Sequence, residues 1–125
     1  MISLSGQIYT MLKETGESNQ FQVSFFYPKN WSDKSLPVVT FYEQKNIEAE
    51  RVDNGHEYLS DVAYQIDVWA KTPEETNRIA LIVNDTIRSI GLKREFSTDL
   101  YSDGIHHKSM RFGGKIQPDT ETIYQ

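Results

Sequence analysis

The sequence contains no cysteine and only four prolines in its 125 residues. Without cysteine it has no disulfide framework, thiolate nucleophile or cysteine-based zinc site, which fits a reducing compartment. Its longest apolar run, Ile79 to Val83, is far shorter than the ~20 residues that a membrane-spanning helix needs. The segment from Met1 to Gly6 lacks both a basic region and a long apolar region. We therefore expect no signal peptide and a cytoplasmic address.

Basic residues are in the minority, with 13 Lys and Arg against 18 Asp and Glu and a net charge of -5. A protein of this charge lacks the broad basic surface typical of nucleic-acid binders, so we expect no direct recognition of a nucleic-acid sequence. The charge is also uneven. Glu43 to Asp67 holds seven acids and two bases, whereas Gly91 to Lys115 holds five bases and three acids.

Regions of unlike charge could attract each other between copies of the chain. A head-to-tail contact of this kind closes into a ring when its rotation allows. The simpler alternative is that these regions are solvated surfaces of different sign.

The chain length corresponds to about one domain. With 25% charged and 38% hydrophobic residues, the composition is ordinary for a soluble folded protein. We predict a single α+β domain over residues 1–116, followed by a polar, flexible tail over residues 117–125.

Apolar residues recur at helical spacing near the amino terminus and predict a helix over about residues 3–15. They are Leu4, Ile8, Met11 and Leu12. Gly16 follows at a position typical of the glycine that ends a helix.

A second helix is predicted over about residues 73–90, with a wide apolar stripe. Its start carries Thr72 as N-cap, Pro73 in the first turn and Glu75 at the position that completes a capping box. Gly91 follows its end.

Strands are predicted over residues 21–27, 38–44, 58–70, 93–101 and 107–115, with a hairpin or an extended loop at 46–54. In the segment 58–70, one face is apolar and the other is mostly polar, which predicts a half-buried strand. The order of elements favours a two-layer α+β fold, in which a mostly antiparallel or mixed β-sheet packs against the two helices.

The histidines offer the clearest possibility of catalytic chemistry. His106 and His107 are adjacent on a strand and should point to opposite faces, so they cannot readily share a metal ion. His56 and nearby acids could join them in a small metal-dependent hydrolase, but no motif such as H-E-x-x-H is present. We expect no catalytic residue, no metal site and no cofactor, and we keep the hydrolase as the weakest alternative.

Several short stretches resemble a known protein family. They are Tyr64-Gln-Ile-Asp-Val-Trp-Ala-Lys-Thr-Pro-Glu-Glu with the helix after it, Gly91-Leu-Lys-Arg, Thr98-Asp-Leu-Tyr and His107-Lys-Ser-Met-Arg-Phe. They resemble the tail-completion proteins of long-tailed, non-contractile bacteriophages, the tail-terminator or tail-to-head joining family. The resemblance extends over about Met1 to Ile116.

This resemblance implies a small α+β protein of the virion that is not an enzyme. Members assemble, typically as hexamers, at the head-proximal end of the tail tube, stop its growth and join the tail to the head. The implied partners are other copies of the chain, the tail-tube protein and the head connector or head-completion protein, without a membrane. A head-side connector or adaptor protein is the nearest alternative, because it also has to bridge rings.

Candidate interface residues come from two sources. The acid-rich hairpin contributes Glu48, Glu50, Arg51 and Asp53. The positions that match the family pattern are Asp67, Trp69, Arg94, Asp99, Tyr101, His107, Lys108 and Arg111, and we take all of them except Asp67 as interface candidates.

Overall fold

Two helices and six strands make up the part of the chain that the structure describes. A computed structural model describes residues 3–25, 36–52, 57–102, 104–117 and 122–124. In chain order the elements are α1 (Ser5–Asn19), β1 (Gln22–Phe25), β2 (Val38–Val52), β3 (Glu57–Ala70), α2 (Pro73–Ser89), β4 (Lys93–Ser102), β5 (Ile105–Gln117) and β6 (Thr122–Tyr124). The predicted α+β class is confirmed.

The strands form one mixed sheet in the order β1-β2-β3-β5-β4, and the short β6 pairs with β5. The β1–β2 pair is parallel, whereas the other pairs are antiparallel. Strand β5 therefore lies between β3 and β4, although it follows β4 in the chain. The sequence predicts neither this insertion nor strand β6.

The core forms where both helices cover one face of the sheet, which we call the helix-covered face. Side chains from α1, α2 and the central strands join in one buried cluster, which includes Ile8, Leu12, Ile79, Val83, Ile87, Val62, Tyr64, Ile66 and Val68. Burial of a large aliphatic side chain contributes roughly 1.5–3 kcal/mol. This cluster holds the two layers together.

The second face of β3, which we call the opposite face, differs from the prediction. The sequence predicts a half-buried strand, but every residue from 62 to 68 is buried. The polar Gln65 and Asp67 on this face are 9% and 3% exposed. Because β2 and β5 flank β3 on both sides, side chains of the neighbouring strands shield this face as well.

The sequence predicts that Gly16 ends helix α1, but the helix continues past this residue. Its last residue is Asn19. The C-cap residue Gln20 adopts the left-handed conformation and donates its backbone N–H to the Gly16 carbonyl. A Cβ on Gly16 would lie 2.5 Å from the carbonyl oxygen of Phe21. The glycine is therefore a point of close approach inside the helix rather than its terminator.

Helix α2 begins as predicted. The Thr72 hydroxyl accepts a hydrogen bond from the Glu75 backbone N–H at 3.2 Å, and Pro73 occupies the first turn. The helix ends at Ser89, and Gly91 follows with a φ of 102°, a value that favours glycine.

Strand β2 is about twice as long as predicted. It stays paired with β3 from Val38↔Trp69 to Val52↔Glu57, with bulges on the way, so the hairpin interpretation is confirmed for the two strands. The turn dipeptide Asn54-Gly55 lies outside the described residues. Between β3 and β5, by contrast, pairing runs only from Ala70↔His106 to Ser60↔Ile116.

The Tyr64 hydroxyl connects α1, β2 and β3. It accepts a hydrogen bond from the Leu4 backbone N–H and donates one to Glu43 Oε1, both at 2.8 Å. Burial raises the pKa of this hydroxyl from 10.0 to about 12; the Leu4 hydrogen bond opposes this shift, and the Glu43 carboxylate adds to it.

Gly16→Ala should destabilise the protein even though alanine favours helices. The new methyl group would overlap the Phe21 backbone, at an expected net cost of about 1–2 kcal/mol, because overpacking of about 1–3 kcal/mol outweighs a propensity gain of up to about 1 kcal/mol. Gly6→Ala, in the same helix with nothing within 4 Å of the new methyl, is the matched control and should be neutral or stabilising. Urea unfolding of both variants measures the difference, and equal stabilisation by both would contradict it.

Stability should fall between about pH 10 and pH 12 through Tyr64. The folded state retains the proton that the unfolded state loses near pH 10, so this contribution is complete below pH 10 and is lost as the pH rises through about 12. The linkage amounts to roughly 3 kcal/mol. Tyr64→Phe should be less stable at pH 7 but should lose less stability over this interval. Denaturant melts from pH 9 to pH 12 test this, and parallel slopes for the two proteins would contradict it.

Candidate interaction surface

Strand β4 is the most exposed regular element among the described residues. All ten of its residues are exposed, and it stands at one end of the sheet order. Three large apolar side chains are among them: Phe96, Leu100 and Tyr101 are 47%, 52% and 65% exposed. Edge strands with exposed apolar residues are surfaces on which proteins associate.

A bulge determines which residues of β4 lie on each face. Arg94 pairs with Phe112 and Phe96 with Arg111, so one extra residue, Glu95, stands between them. Arg94 therefore shares the helix-covered face with Phe112, whereas Phe96 shares the opposite face with Arg111. Without the bulge, Phe96 would lie on the side of the helices.

A groove of about 370 Å³ separates α2 from β4, and we call it the α2–β4 groove. Its walls are Asn77, Ala80 and Leu81 from the helix and Arg94, Ser97, Lys108 and Met110 from the strands. A second depression of about 200 Å³ lies next to it, at the start of α2. Leu81 is 64% exposed at the rim, so the groove combines an apolar wall with basic residues.

The groove brings together two of the predicted interface residues, Arg94 and Lys108, and Asp99 lines the depression next to it. Arg94 Nη1 donates a hydrogen bond to Asn84 Oδ1 at 3.4 Å, and Lys108 Nζ lies 3.3 Å from Asp99 Oδ1. The Asp99 side chain is 74% exposed, so this ion pair is largely solvated and contributes little to stability. The ring of Tyr101 contacts His106, with centroids 4.8 Å apart.

Other predicted residues lie on the opposite face. Trp69 and His107 stack with ring centroids 3.5 Å apart and an interplanar angle of 13°. Trp69 Nε1 donates a hydrogen bond to Thr40 Oγ1 at 2.9 Å. The side chains of His106 and His107 thus lie on different faces of the sheet, as expected of neighbours on a strand. Neither Trp69 nor His107 lines the α2–β4 groove, but His107 lines the second depression, at the start of α2.

A buried polar cluster adjoins this stack. The Asp67 side chain is 4% exposed, and its Oδ1 accepts a hydrogen bond from Gln65 Nε2 at 2.9 Å. Gln65 Nε2 also donates to Ser109 Oγ. His107 Nε2 lies 3.5 Å from Asp67 Oδ2, in contact but without hydrogen-bond geometry. Asp67 lines neither of the two depressions. We interpret the cluster as a set of contacts that fixes the register of β3 against β5.

Arg111 also lies on the opposite face. Its Nε donates to Glu95 Oε1 at 3.0 Å. A Cβ on Gly113 would lie 2.5 Å from the same carboxylate oxygen, so the glycine leaves room for the Glu95 side chain over β5.

The acidic candidates lie at the far end of the β2–β3 hairpin. Glu48, Glu50 and Arg51 belong to β2. Glu48 pairs with Ser60, where the pairing of β3 with β5 ends, and Glu50 and Arg51 lie beyond it. Asp53 and His56 lie outside the described residues. The ten described candidates therefore do not form one site, because they are distributed over the helix-covered face around the groove, the opposite face and the hairpin.

Sequence reasoning missed the apolar wall of the groove. Ala80, Leu81 and Met110 look like ordinary core residues in a periodic pattern. One signal was available: the sequence of β4, Lys-Arg-Glu-Phe-Ser-Thr-Asp-Leu-Tyr-Ser, lacks the alternation of a half-buried strand. This pattern is typical of a strand that no second layer covers.

Neither a metal-binding cluster nor a membrane-spanning helix is found in the described part of the chain. No group of three or more His, Asp or Glu residues there is arranged to hold a metal ion. Neither helix is long and apolar enough to cross a membrane.

No family model matches this chain, and a search of curated proteins finds no match.

Asp67 and His107 should be energetically coupled. Because the two side chains are buried with His107 Nε2 only 3.5 Å from Asp67 Oδ2, Asp67→Asn and His107→Phe should show a coupling of about 0.5–3 kcal/mol in a double-mutant cycle. Phenylalanine can preserve the stack on Trp69. Chemical denaturation of the four proteins measures the coupling.

The exposed pair Asp99 and Lys108 serves as the control for this cycle. Asp99→Asn and Lys108→Met should show a coupling of about 1 kcal/mol or less, because the pair is solvated. A coupling at Asp67 and His107 no larger than this one would contradict the prediction.

Proposed function

We propose that this protein is a phage tail-completion protein of the tail-terminator or tail-to-head joining type. It forms a ring, typically hexameric, at the head-proximal end of the tail tube, stops the growth of the tube and joins the tail to the head. It acts by binding, not by catalysis. The resemblance of four stretches of the sequence to this family supports the proposal, together with the exposure of strand β4.

The exposure of β4 is the structural observation that carries the proposal. A strand of ten residues, exposed along its whole length and carrying three large apolar side chains, is a liability for a protein that works alone. In an assembly the same strand is a contact surface. This favours a protein whose function depends on copies of itself or on other virion proteins.

The stretches that resemble the family divide between scaffold and surface. In the first stretch, Tyr64, Ile66 and Val68 are fully buried and serve the core. In the later stretches, Arg94 and Lys108 line the α2–β4 groove. The resemblance thus includes residues that build the fold and residues that are available for contact.

A ring subunit needs two unlike surfaces, because a head-to-tail contact joins different sides of neighbouring copies. The chain offers such a pair: a groove with basic residues beside β4, and an acid-rich hairpin on the other side of the central strand. The tail tube and the head connector require further surfaces. The opposite face, with Phe96 and Leu100 exposed, is available for one of them.

Deletion of the gene from a phage that carries it should separate tail completion from head assembly. We expect filled heads without tails and tubes of uncontrolled length, because nothing stops tube growth or joins the two parts. Electron microscopy of lysates tests this, and complementation by the wild-type gene is the control. Tails of normal length attached to heads in the deletion strain would contradict the proposal.

The same phage can separate this function from that of a head-side connector or adaptor protein. Antibody labelling should place the protein at the head-proximal end of tails purified from a mutant that makes no heads. Its presence on heads from a tail-less mutant, and its absence from such tails, would favour the head-side alternative.

A further inference from the structure

We infer that the acid-rich hairpin of one copy docks in the α2–β4 groove of the next copy. The hairpin segment in question, which we call the arm, comprises residues 48–52 of β2 and 57–59 of β3. This inference rests on the proposed ring-forming function and specifies its subunit contact.

The arm extends beyond the body of the sheet. Pairing of β2 with β3 continues to Val52↔Glu57, whereas pairing of β3 with β5 stops at Ser60↔Ile116. Beyond Ser60, the pairs Glu50↔Leu59, Arg51↔Tyr58 and Val52↔Glu57 form a two-stranded extension of roughly 10 Å at about 3.3 Å per residue. An isolated two-stranded hairpin is marginally stable in water, so a partner that covers it would stabilise it.

The arm and the groove have opposite charge. Among the described residues, the arm contains Glu48, Glu50 and Glu57 against Arg51. The groove presents Arg94 and Lys108 beside its apolar wall. Unlike charges at a contact select the partner and its register, and they accelerate association. Ile47, at the base of the arm, is 54% exposed and offers an apolar contact for Leu81, which is 64% exposed.

The arm cannot reach the groove of its own chain. Met110, which lines the groove, pairs with Ile66 on β3, and the arm leaves the sheet at Ser60. Six residues of strand, roughly 20 Å, separate these positions, and the arm continues in the direction away from Ile66. An arm that occupies this groove must therefore belong to another copy of the chain.

Contact between arm and groove joins unlike surfaces, so it is heterologous. Each copy then offers one arm and one groove, and every copy in a closed ring uses both. The contact leaves the opposite face, with Trp69, Phe96 and Leu100, free of this role. Subunit association and binding of other virion proteins are thus assigned to different faces of the sheet.

Charge reversal tests the inference directly. Arg94→Glu should weaken self-association by about tenfold or more, because it places a like charge against the arm. Lys93→Glu is the matched control: it makes the same charge change on the neighbouring residue, which pairs with Gly113 and lies on the opposite face. It should change self-association by less than about twofold. Sedimentation velocity across concentration measures both, and circular dichroism and denaturant melts verify that the variants fold.

Restoration by a second charge reversal distinguishes direct contact from an indirect effect. Glu48→Lys with Glu50→Lys should weaken association like Arg94→Glu, and the chain with all three substitutions should recover it to within about threefold of wild type. Wild-type association should also weaken at high salt, since the contact is partly electrostatic.

Three results would overturn the inference. They are equal effects of Arg94→Glu and Lys93→Glu, no recovery in the triple variant, and a wild-type chain that stays monomeric up to its solubility limit. Rings that form regardless of these charges would show that the contact lies elsewhere and would leave the proposed function intact. Normal tails in the deletion strain would remove the proposed function, whatever the variants do.

Because the chain contains no cysteine, disulfide crosslinking between introduced cysteines gives a second test of the contact. A chain with Ala49→Cys in the arm, mixed with a chain carrying Leu81→Cys at the groove, should give a disulfide-linked dimer under mild oxidation. Glu14→Cys on the exposed side of α1 replaces Leu81→Cys in the control mixture, which should give little heterodimer. Equal heterodimer in both mixtures, or none in either, would contradict the assignment.

Discussion

Burial of strand β3 on both faces is the constraint on which the rest of the structure depends. On the helix-covered face, Val62, Tyr64, Ile66 and Val68 are fully buried beneath α1 and α2. On the opposite face, Asp67 and Gln65 are shielded as well, which requires that their polar atoms find partners inside the protein. A one-residue slip of register would exchange the two sets and place Asp67 beneath the helices, so the apolar and polar contacts enforce the same alignment.

Local patterns in the sequence predict much of the fold. The Thr72–Pro73–Glu75 start of α2 depends on a local hydrogen bond and a local backbone preference, and the structure has it as predicted. The alternation of β3 likewise identifies its core-facing residues. Prediction fails where a packing contact determines which residue is present. Local rules place Gly16 at the end of a helix, but the glycine is explained by its close approach to the Phe21 carbonyl. The place of β5 between β3 and β4 depends on strand pairing, which periodicity does not encode.

The candidate surface was harder to predict than the fold. Charge counting identified the acidic hairpin and the basic last strands, but it could not tell the two faces of a strand apart at a bulge. Arg94 and Arg111 look equivalent in the sequence, yet Arg94 lines the groove and Arg111 pairs with Glu95 on the opposite face. The apolar half of the groove was missed because Leu81 belongs to an apolar run and only its position on the helix exposes it.

The place of β5 in the sheet has a consequence for the order in which the chain can fold during synthesis. Strand β4 is made before β5, yet β5 is the strand that connects it to β3. The hydrogen bond from the Leu4 backbone N–H to the Tyr64 hydroxyl likewise cannot form until Tyr64, sixty residues later in the chain, has been synthesised. Local helices can form early, but the sheet closes only when the chain has been made to about Ile116, since long-range pairing comes late. A ribosome-bound fragment that stops before β5 lacks Lys108 and Met110 and therefore part of the lining of the α2–β4 groove.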